Sequence, residues 1–205
     1  MEKEWHEIAK RIQALAQNGI TFTEGKYDME RYEELREISA QMMSMYTDTP
    51  IEKVRDVFNF EHGYQTPKVD VRGVVFKENK ILMVQEEQDG KWSLPGGWAD
   101  VNYSPRQIAV KEVWEETGLR VEPVKLLAVL DKACHPHPLE PYQAYKFFIH
   151  CKIIRGELRT SIETLDVRFF GVDELPQLSA ERVLKYQIEK MFELVEDPNS
   201  ATLFD

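Results

Sequence analysis

Leu94-Pro95-Gly96-Gly97, then Ser104-Pro105-Arg106-Gln107, then Lys111-Glu112-Val113-Trp114-Glu115-Glu116-Thr117-Gly118-Leu119 are the residues on which the fold turns. They read as a glycine turn feeding a capped helix. Ser104 stands at the N-cap and Pro105 at the first helical position, and Gln107 completes a capping box. Gly118 falls where a helix ends in the left-handed conformation that favours glycine. The spacing predicts a helix over 104–117. Glu112 and Glu116 share one face of it, with Glu115 beside them. Ala109, Val113 and Thr117 form another face, suited to packing on a sheet.

Carboxylates this close repel, at roughly 0.2–0.5 kcal/mol per pair on a solvated helix. They also sit toward the helix C-terminus, where the macrodipole disfavours negative charge. A bound divalent cation removes both penalties, since hard cations take carboxylate and carbonyl oxygen. A solvated acidic face is the plainer reading of such a cluster alone. It leaves the glycine turn and the fixed caps unexplained.

Outward from this segment the period changes to two. Val69, Val71, Gly73 and Val75 face one way, and Asp70, Arg72, Val74 and Phe76 the other. Glu78-Asn79-Lys80 makes a turn, and Ile81 to Val84 returns as a hairpin. Further strands are predicted over 124–131, 142–154 and 166–172, and a helix over 179–195. This order of strands and helices indicates α+β with a mixed sheet.

The chain before Glu61 reads as helices only. Trp5, Ile8, Ile12, Leu15 and Ala16 recur at helical spacing, with Asn18-Gly19 as the stop. A second helix is expected from Asp28, showing Tyr32, Leu35, Ile38, Met42 and Tyr46 on one face. Thr49-Pro50 caps a third that carries Ile51, Val54, Val57 and Phe58. These helices are too small to close a core alone, so they should pack on the rest of the chain or on a second copy. The break at Glu61 to Pro67 separates a helical domain at 1–62, read as a dimerisation domain, from a domain at 66–205.

The 205 residues hold 26 Lys and Arg against 36 Asp and Glu, a net charge of −10. That argues against a general basic surface for nucleic acid, but not against an acidic phosphate-ester enzyme that takes its cations as metal. Hydrophobic residues at 42% suffice for a core and exclude disorder. No apolar run approaches the ~18 residues of a membrane span, and the charged N-terminus is unlike a signal peptide. Two cysteines, Cys134 and Cys151, exclude a disulfide scaffold and fit a reducing cytoplasm.

The string from Gly97 to Leu119 resembles the signature of the Nudix hydrolases: Gly, five residues, Glu, seven residues, Arg-Glu-hydrophobic-x-Glu-Glu-x-Gly-hydrophobic. Gly97, Glu112, Val113, Glu115, Glu116, Gly118 and Leu119 match it. Tyr103 stands in place of the first Glu, and Lys111 in place of Arg, which keeps the charge but not the planar fork. The resemblance implies a Nudix α/β/α sandwich over 66–205. The N-terminal helices resemble the extension of a bacterial branch acting on nucleoside diphosphates linked to another group, such as ADP-ribose or CDP-choline. The resemblance further implies Mg²⁺ or Mn²⁺ held by Glu112, Glu116 and the backbone carbonyl of Gly96. It gives catalytic roles to Glu112 and Glu115, and to a carboxylate from the loop before the last strand, here Glu163.

Asp70 and Arg72 share a strand face, either as a salt bridge at a sheet surface or with Arg72 set against a substrate phosphate. Trp98 and Tyr103 are aromatic neighbours of the signature, able to stack on a base or to face a quaternary ammonium. The second use favours CDP-choline. Cys134, His135 and His137, with His150 and Cys151, match no standard zinc spacing; His135 or His137 is read instead as touching substrate from a mobile loop. The expected reaction is Mg²⁺-dependent hydrolysis of a pyrophosphate bond, giving a nucleoside monophosphate and X-phosphate. ADP-ribose hydrolysis and RNA-end processing are rivals within that chemistry. A non-catalytic nucleotide sensor is the rival from another class, and the intact Glu112, Glu115 and Glu116 argue against it.

Overall fold

The computed structural model describes residues 2–47 and 49–205, without the side chains of Glu2 and Lys3. The chain divides into two compact units, Met1–Pro67 with Leu139–Gln143, and Lys68–Pro138 with Ala144–Asp205.

The first unit contains α1 (Glu2–Phe22), α2 (Lys26–Tyr46) and α3 (Ile51–Phe60). Ala9, Ala40, Met43, Val54 and Phe58 form its core. The inward face of α1 is small and polar, with His6, Gln13, Ala16 and Gln17 buried alongside Ala9. Ser39 Oγ donates to the Ala9 carbonyl at 2.7 Å, and Gln17 Nε2 to the Gly63 carbonyl at 3.3 Å. Several large apolar residues of α1 and α2 lie outside this core. Trp5, Ile8 and Leu15 of α1 and Leu35, Ile38 and Tyr46 of α2 remain exposed, and Trp5 stacks on Tyr46 with ring centroids 6.2 Å apart.

Three boundaries differ from expectation. α1 runs through Asn18-Gly19 to Phe22, because Gly19 is a contact point: a Cβ there would collide with the Tyr32 ring of α2. α2 opens at Lys26 behind Gly25, which leaves Asp28 in the first turn, paired with Arg31 at 2.6 Å. The N-cap of α3 is Pro50 rather than Thr49, with no side-chain capping bond, and Thr49 N donates to Thr47 Oγ1 at 3.3 Å.

The second unit runs β1 (Lys68–Lys77), β2 (Lys80–Glu86), β3 (Trp92–Ser93), β4 (Gly96–Trp98), α4 (Pro105–Thr117), β5 (Arg120–Asp131), β6 (Ala144–Arg155), β7 (Thr164–Phe170), α5 (Lys185–Glu196) and β8 (Leu203–Phe204). Its sheet is mixed, in the order β3-β2-β1-β6-β5-β8, with β4 on β1 and β7 on β2. β1 pairs antiparallel with β2 and β4 and parallel with β6. Its alternation sends Val71 and Val75 against Ile108, Ala109 and Val113 of α4. Val74 and Phe76 go against Ile188, Met191 and Phe192 of α5. A helix on each face of one sheet is the α/β/α sandwich.

The β1–β2 turn has positive φ at Glu78 and Asn79, 52° and 56°, which matches the twist of a tight hairpin. α5 begins at Lys185, later than the predicted 179, because the preceding segment is held by β3. Trp92 N donates to the Gln177 carbonyl at 3.0 Å, and Ser179 N to the Trp92 carbonyl at 2.8 Å. Among the described residues no helix is long and apolar enough to cross a membrane.

Candidate active site

The register Asp70↔Trp98, Val71↔Gly97 and Arg72↔Gly96 lays the glycine turn along β1. Gly96 has φ 144°, and a Cβ there would strike the Val71 carbonyl oxygen and stand 2.9 Å from Arg72 Cα. Only glycine fits this approach. Downstream, α4 carries both predicted caps. The Ser104 hydroxyl accepts from Gln107 N and Gln107 Oε1 accepts from Ser104 N at 2.8 Å, while Gly118 closes the helix at φ 78°.

These fixed ends aim two carboxylates inward. Glu112 is 9% exposed and Glu116 7%. Glu116 Oε2 accepts the Gly96 N–H at 3.1 Å, and Glu112 Oε2 lies over Gly97. Burial pushes the Glu116 carboxyl up to about 8; Arg72 opposes this, and the charges of Glu86 and Glu112 add to it. Burial also raises Glu112, although Lys111 works against it. Lys111 Nζ reaches Glu112 at 2.9 Å, Glu115 at 3.1 Å and Asp100 at 3.3 Å. The bond to Glu112, with those to Glu115 and Asp100, holds the ammonium well above its ordinary value. Lysine thus braces the glutamates as a point charge where arginine would use a fork.

Two buried carboxylates with raised pKa, set against the glycine turn, form an oxygen donor set short of positive charge. Such a set fits a hard cation that keeps part of its water shell, as Mg²⁺ does. Among the described residues no three His, Cys, Asp or Glu side chains form a ready metal cage.

Asp70 and Arg72 do form a salt bridge, but a buried one rather than one at a sheet surface, with the two residues 5% and 6% exposed. Arg72 Nε donates to Asp70 Oδ1 at 2.9 Å and Nη1 to the Leu94 carbonyl at 3.0 Å. Lys146, 1% exposed, bonds Asp70 Oδ2. Burial works against the Asp70 charge, but Arg72 and Lys146 outweigh it and hold the carboxyl below its ordinary value. Burial draws Lys146 down to about 8, with Asp70 opposing. Arg72 therefore holds the glycine turn from beneath.

The remaining candidates are spread more widely. Glu115 and Tyr103 line an open groove of about 470 Å³ on the outer side of α4, with Arg106, Lys111, Trp114 and Arg120. Trp98 is exposed on β4. Glu163 is exposed, and its carbonyl accepts from Glu87 N at 3.0 Å. Its neighbour Thr164 donates Oγ1 to the Glu116 carbonyl at 3.3 Å, which sets this loop beside the end of α4. The loop carrying His135 and His137 is latched, not free. His137 Nδ1–H donates to the Ala180 carbonyl at 2.6 Å, and His135 bonds Tyr186 and Asp205.

Glu86 and Arg182 were missed. The charge of Glu86 reaches both Glu116 and Arg72. Gln85-Glu86-Glu87-Gln88 reads in sequence as a polar turn after a strand, and Arg182 is almost a hundred positions away, so no local signal marks either.

Residues 66–191 match the NUDIX domain model. The chain belongs to the Nudix hydrolase family. Residues 3–58 match a second model, described as a UDP-X-like N-terminal oligomerisation domain. The Nudix chain is 47% identical over 205 residues to YjhB of Bacillus subtilis (strain 168), provisionally named an ADP-ribose pyrophosphatase, covering 100% of this chain and 99% of that one. It resembles the crystal structure of an ADP-ribose pyrophosphatase from Streptococcus suis 89-1591, with 42% identity, TM-score 0.63, and coverage of 68% of this chain and 100% of that one. It also resembles that of UDP-X diphosphatase, with 34% identity, TM-score 0.65, and coverage of 100% and 99%. The enzyme class is Nudix pyrophosphatase, and the family generally works with a divalent metal.

Proposed function

We propose that this Nudix enzyme hydrolyses the pyrophosphate bond of a nucleoside diphosphate joined to a second group, with Mg²⁺ or Mn²⁺, as a cytoplasmic homodimer. The observation that carries this reading is the buried pair Glu112 and Glu116, locked to the glycine turn through Gly96 N. Glu112, Glu116 and the Gly96 carbonyl would hold the cation, which neutralises phosphate charge and polarises water. Lys111 keeps Glu112 oriented, with Glu115 assisting through the same ammonium. Asp70 fixes Arg72, and Arg72 fixes the Leu94 carbonyl at the turn. Glu163, on the loop beside the end of α4, takes the proton from the attacking water. A nucleoside monophosphate and X-phosphate leave.

ADP-ribose is the first substrate to test. The Streptococcus suis structure bears that name, as does a Methanocaldococcus jannaschii relative that is 30% identical over 127 residues, 60% of this chain and 73% of its own. CDP-choline is the second reading, supported by Trp98 and Tyr103, exposed aromatics whose faces suit a quaternary ammonium. Ranking ADP-ribose, a UDP-sugar, CDP-choline and a short 5′-triphosphate RNA by kcat/KM, with and without Mg²⁺, tests the proposal. Cleavage of none of them would leave the nucleotide-sensing reading, and RNA as best substrate would overturn the small-molecule one.

The homodimer reading is supported by the exposed apolar residues of α1 and α2 and by the match to an oligomerisation domain. Neither Cys134 nor Cys151 is in a disulfide, which suits a reducing cytoplasm.

A further inference from the structure

Arg106, Val110 and Trp114 follow one another at four-residue steps, so they form a ridge along the outer face of α4. With Tyr103, Arg120 and Pro123 they wall the open groove of about 470 Å³. Glu112 and Glu116, each two residues further on, point to the other side of the helix, at the glycine turn.

Positive charge collects at this groove in a chain whose net charge is −10. The Arg120 guanidinium lies 4.0 Å from the centroid of the Trp114 ring, and that of Arg159 reaches the same ring at 5.6 Å. Arg159 is brought there by its backbone, whose N–H donates to the Thr117 carbonyl at 3.0 Å. The register of β5 on β6 sets Arg120 directly opposite Arg155. Like charges in that position destabilise a sheet. Arg106 Nη2 donates to the Pro123 carbonyl at 2.7 Å. Among the described residues none of these four arginines is ion-paired with a carboxylate. Glu115, on the groove wall, is already paired with Lys111 at 3.1 Å. Covering one indole ring needs one guanidinium. Four without a counter-charge repel one another, and an anion from outside the chain relieves that repulsion.

The walls indicate which anion. A guanidinium fork takes phosphate oxygens two at a time. Val110, Trp114 and Pro123 supply apolar surface against which a nucleobase packs. The volume falls within the roughly 300–1,000 Å³ usual for small-molecule sites. A nucleic-acid strand would require a longer basic stripe, and the balance of this chain is acidic.

We propose that this groove is a second nucleotide site, taking a nucleoside monophosphate with its phosphate on Arg106 and Arg120 and its base along the Val110–Trp114 ridge. The site is separate from the cleft of Glu112 and Glu116, and it does not rest on the reading of that cleft as a cation site. In the purely structural alternative the guanidiniums only shield Trp114.

Calorimetric titration of the full chain in EDTA with AMP, UMP, inorganic phosphate and a short single-stranded RNA separates the two. EDTA removes any binding held through a cation in the cleft. At least one of the two nucleotides should bind saturably, one per chain and more tightly than phosphate. Arg106→Gln and Arg120→Gln should each weaken that binding by about tenfold or more. Glu116→Gln should leave it within about twofold of wild type. Should Arg120→Gln fail to fold, Arg106→Gln carries the test, since Arg106 is exposed and its printed bond is to one backbone carbonyl. Four results overturn the proposal: no saturable binding of either nucleotide at millimolar concentration, phosphate bound as tightly as the nucleotides, RNA bound while neither nucleotide is, or wild-type affinity in folded Arg106→Gln. Nucleotide binding that Glu116→Gln abolishes and the arginine variants keep would place the ligand in the cleft, which also overturns it.

Discussion

Glu116 and Gly96 are joined across the cleft by one hydrogen bond, carboxylate Oε2 to backbone N–H at 3.1 Å. The helix carboxylate and the glycine turn therefore move as one piece. Glu116→Gln keeps the shape and can still accept from Gly96 through its amide oxygen, but it loses the charge. The folded variant should show turnover lower by about two orders of magnitude or more. Turnover near wild type, with circular dichroism unchanged, would remove Glu116 from the cation site.

Metal binding should release protons at neutral pH. With its carboxyl pushed up to about 8, Glu116 is largely protonated before a cation arrives and ionised afterwards. Calorimetric titration with Mg²⁺ at about pH 7, in buffers of different ionisation enthalpy, reads the release directly. The sign for stability follows. A carboxyl raised above its usual 4.5 contributes stability that is complete below that value and is lost as pH climbs through about 8. Melting temperature in EDTA should therefore fall over this window, and Mg²⁺ should recover it most on the alkaline side. A flat profile in EDTA would contradict the burial of Glu116.

His137 acts at the other end of the pH scale. Burial brings its pKa down from 6.5 to about 4, so its neutral ring contributes stability that is complete above 6.5 and lost as pH falls through about 4. The loss is at most on the order of 3 kcal/mol. His137→Gln should flatten the acid side of the stability curve, while costing about 1 kcal/mol at neutral pH through the weakened tie to Ala180. Urea titrations across that range would show whether the slope disappears.

The exposed residues of α1 and α2 predict the mass in solution. Light scattering should give twice the chain mass, and Ile8→Glu with Leu35→Glu should give a monomer with unchanged helical content, since both sites are exposed. A wild-type monomer at micromolar concentration would reject the dimer.

What could be read from the sequence was what local chemistry sets. Ser104, Gln107 and Gly118 define α4 by bonds within a turn of themselves, and the alternation of β1 follows from a two-residue period. Gly19 was misread as a stop because its partner, Tyr32, lies on the next helix. The segment from Ser179 to Leu184 was misread as helix because its backbone is held by Trp92, far away in the chain. Asp70 and Arg72 were visible as a pair, yet their burial depends on Lys146 and on two flanking strands. The setting of Glu86 had no signal at all: it depends on pairing with β7 and on an ion pair with Arg182, both far away in the chain.

The bond from Lys146 to Asp70 spans 76 positions, and β1 and β6 pair in parallel along the whole of that contact. Closing so long a loop must precede any reward from the contacts it creates, which makes such pairings slow. The contacts of α1, α2 and α3 are between neighbours in the chain, and these helices leave the ribosome before the strands of the sheet. Two nascent chains can thus meet through their helices before either has a cleft. Stopped-flow refolding should show helical signal and doubled mass early, with hydrolytic activity following as a separate, later phase.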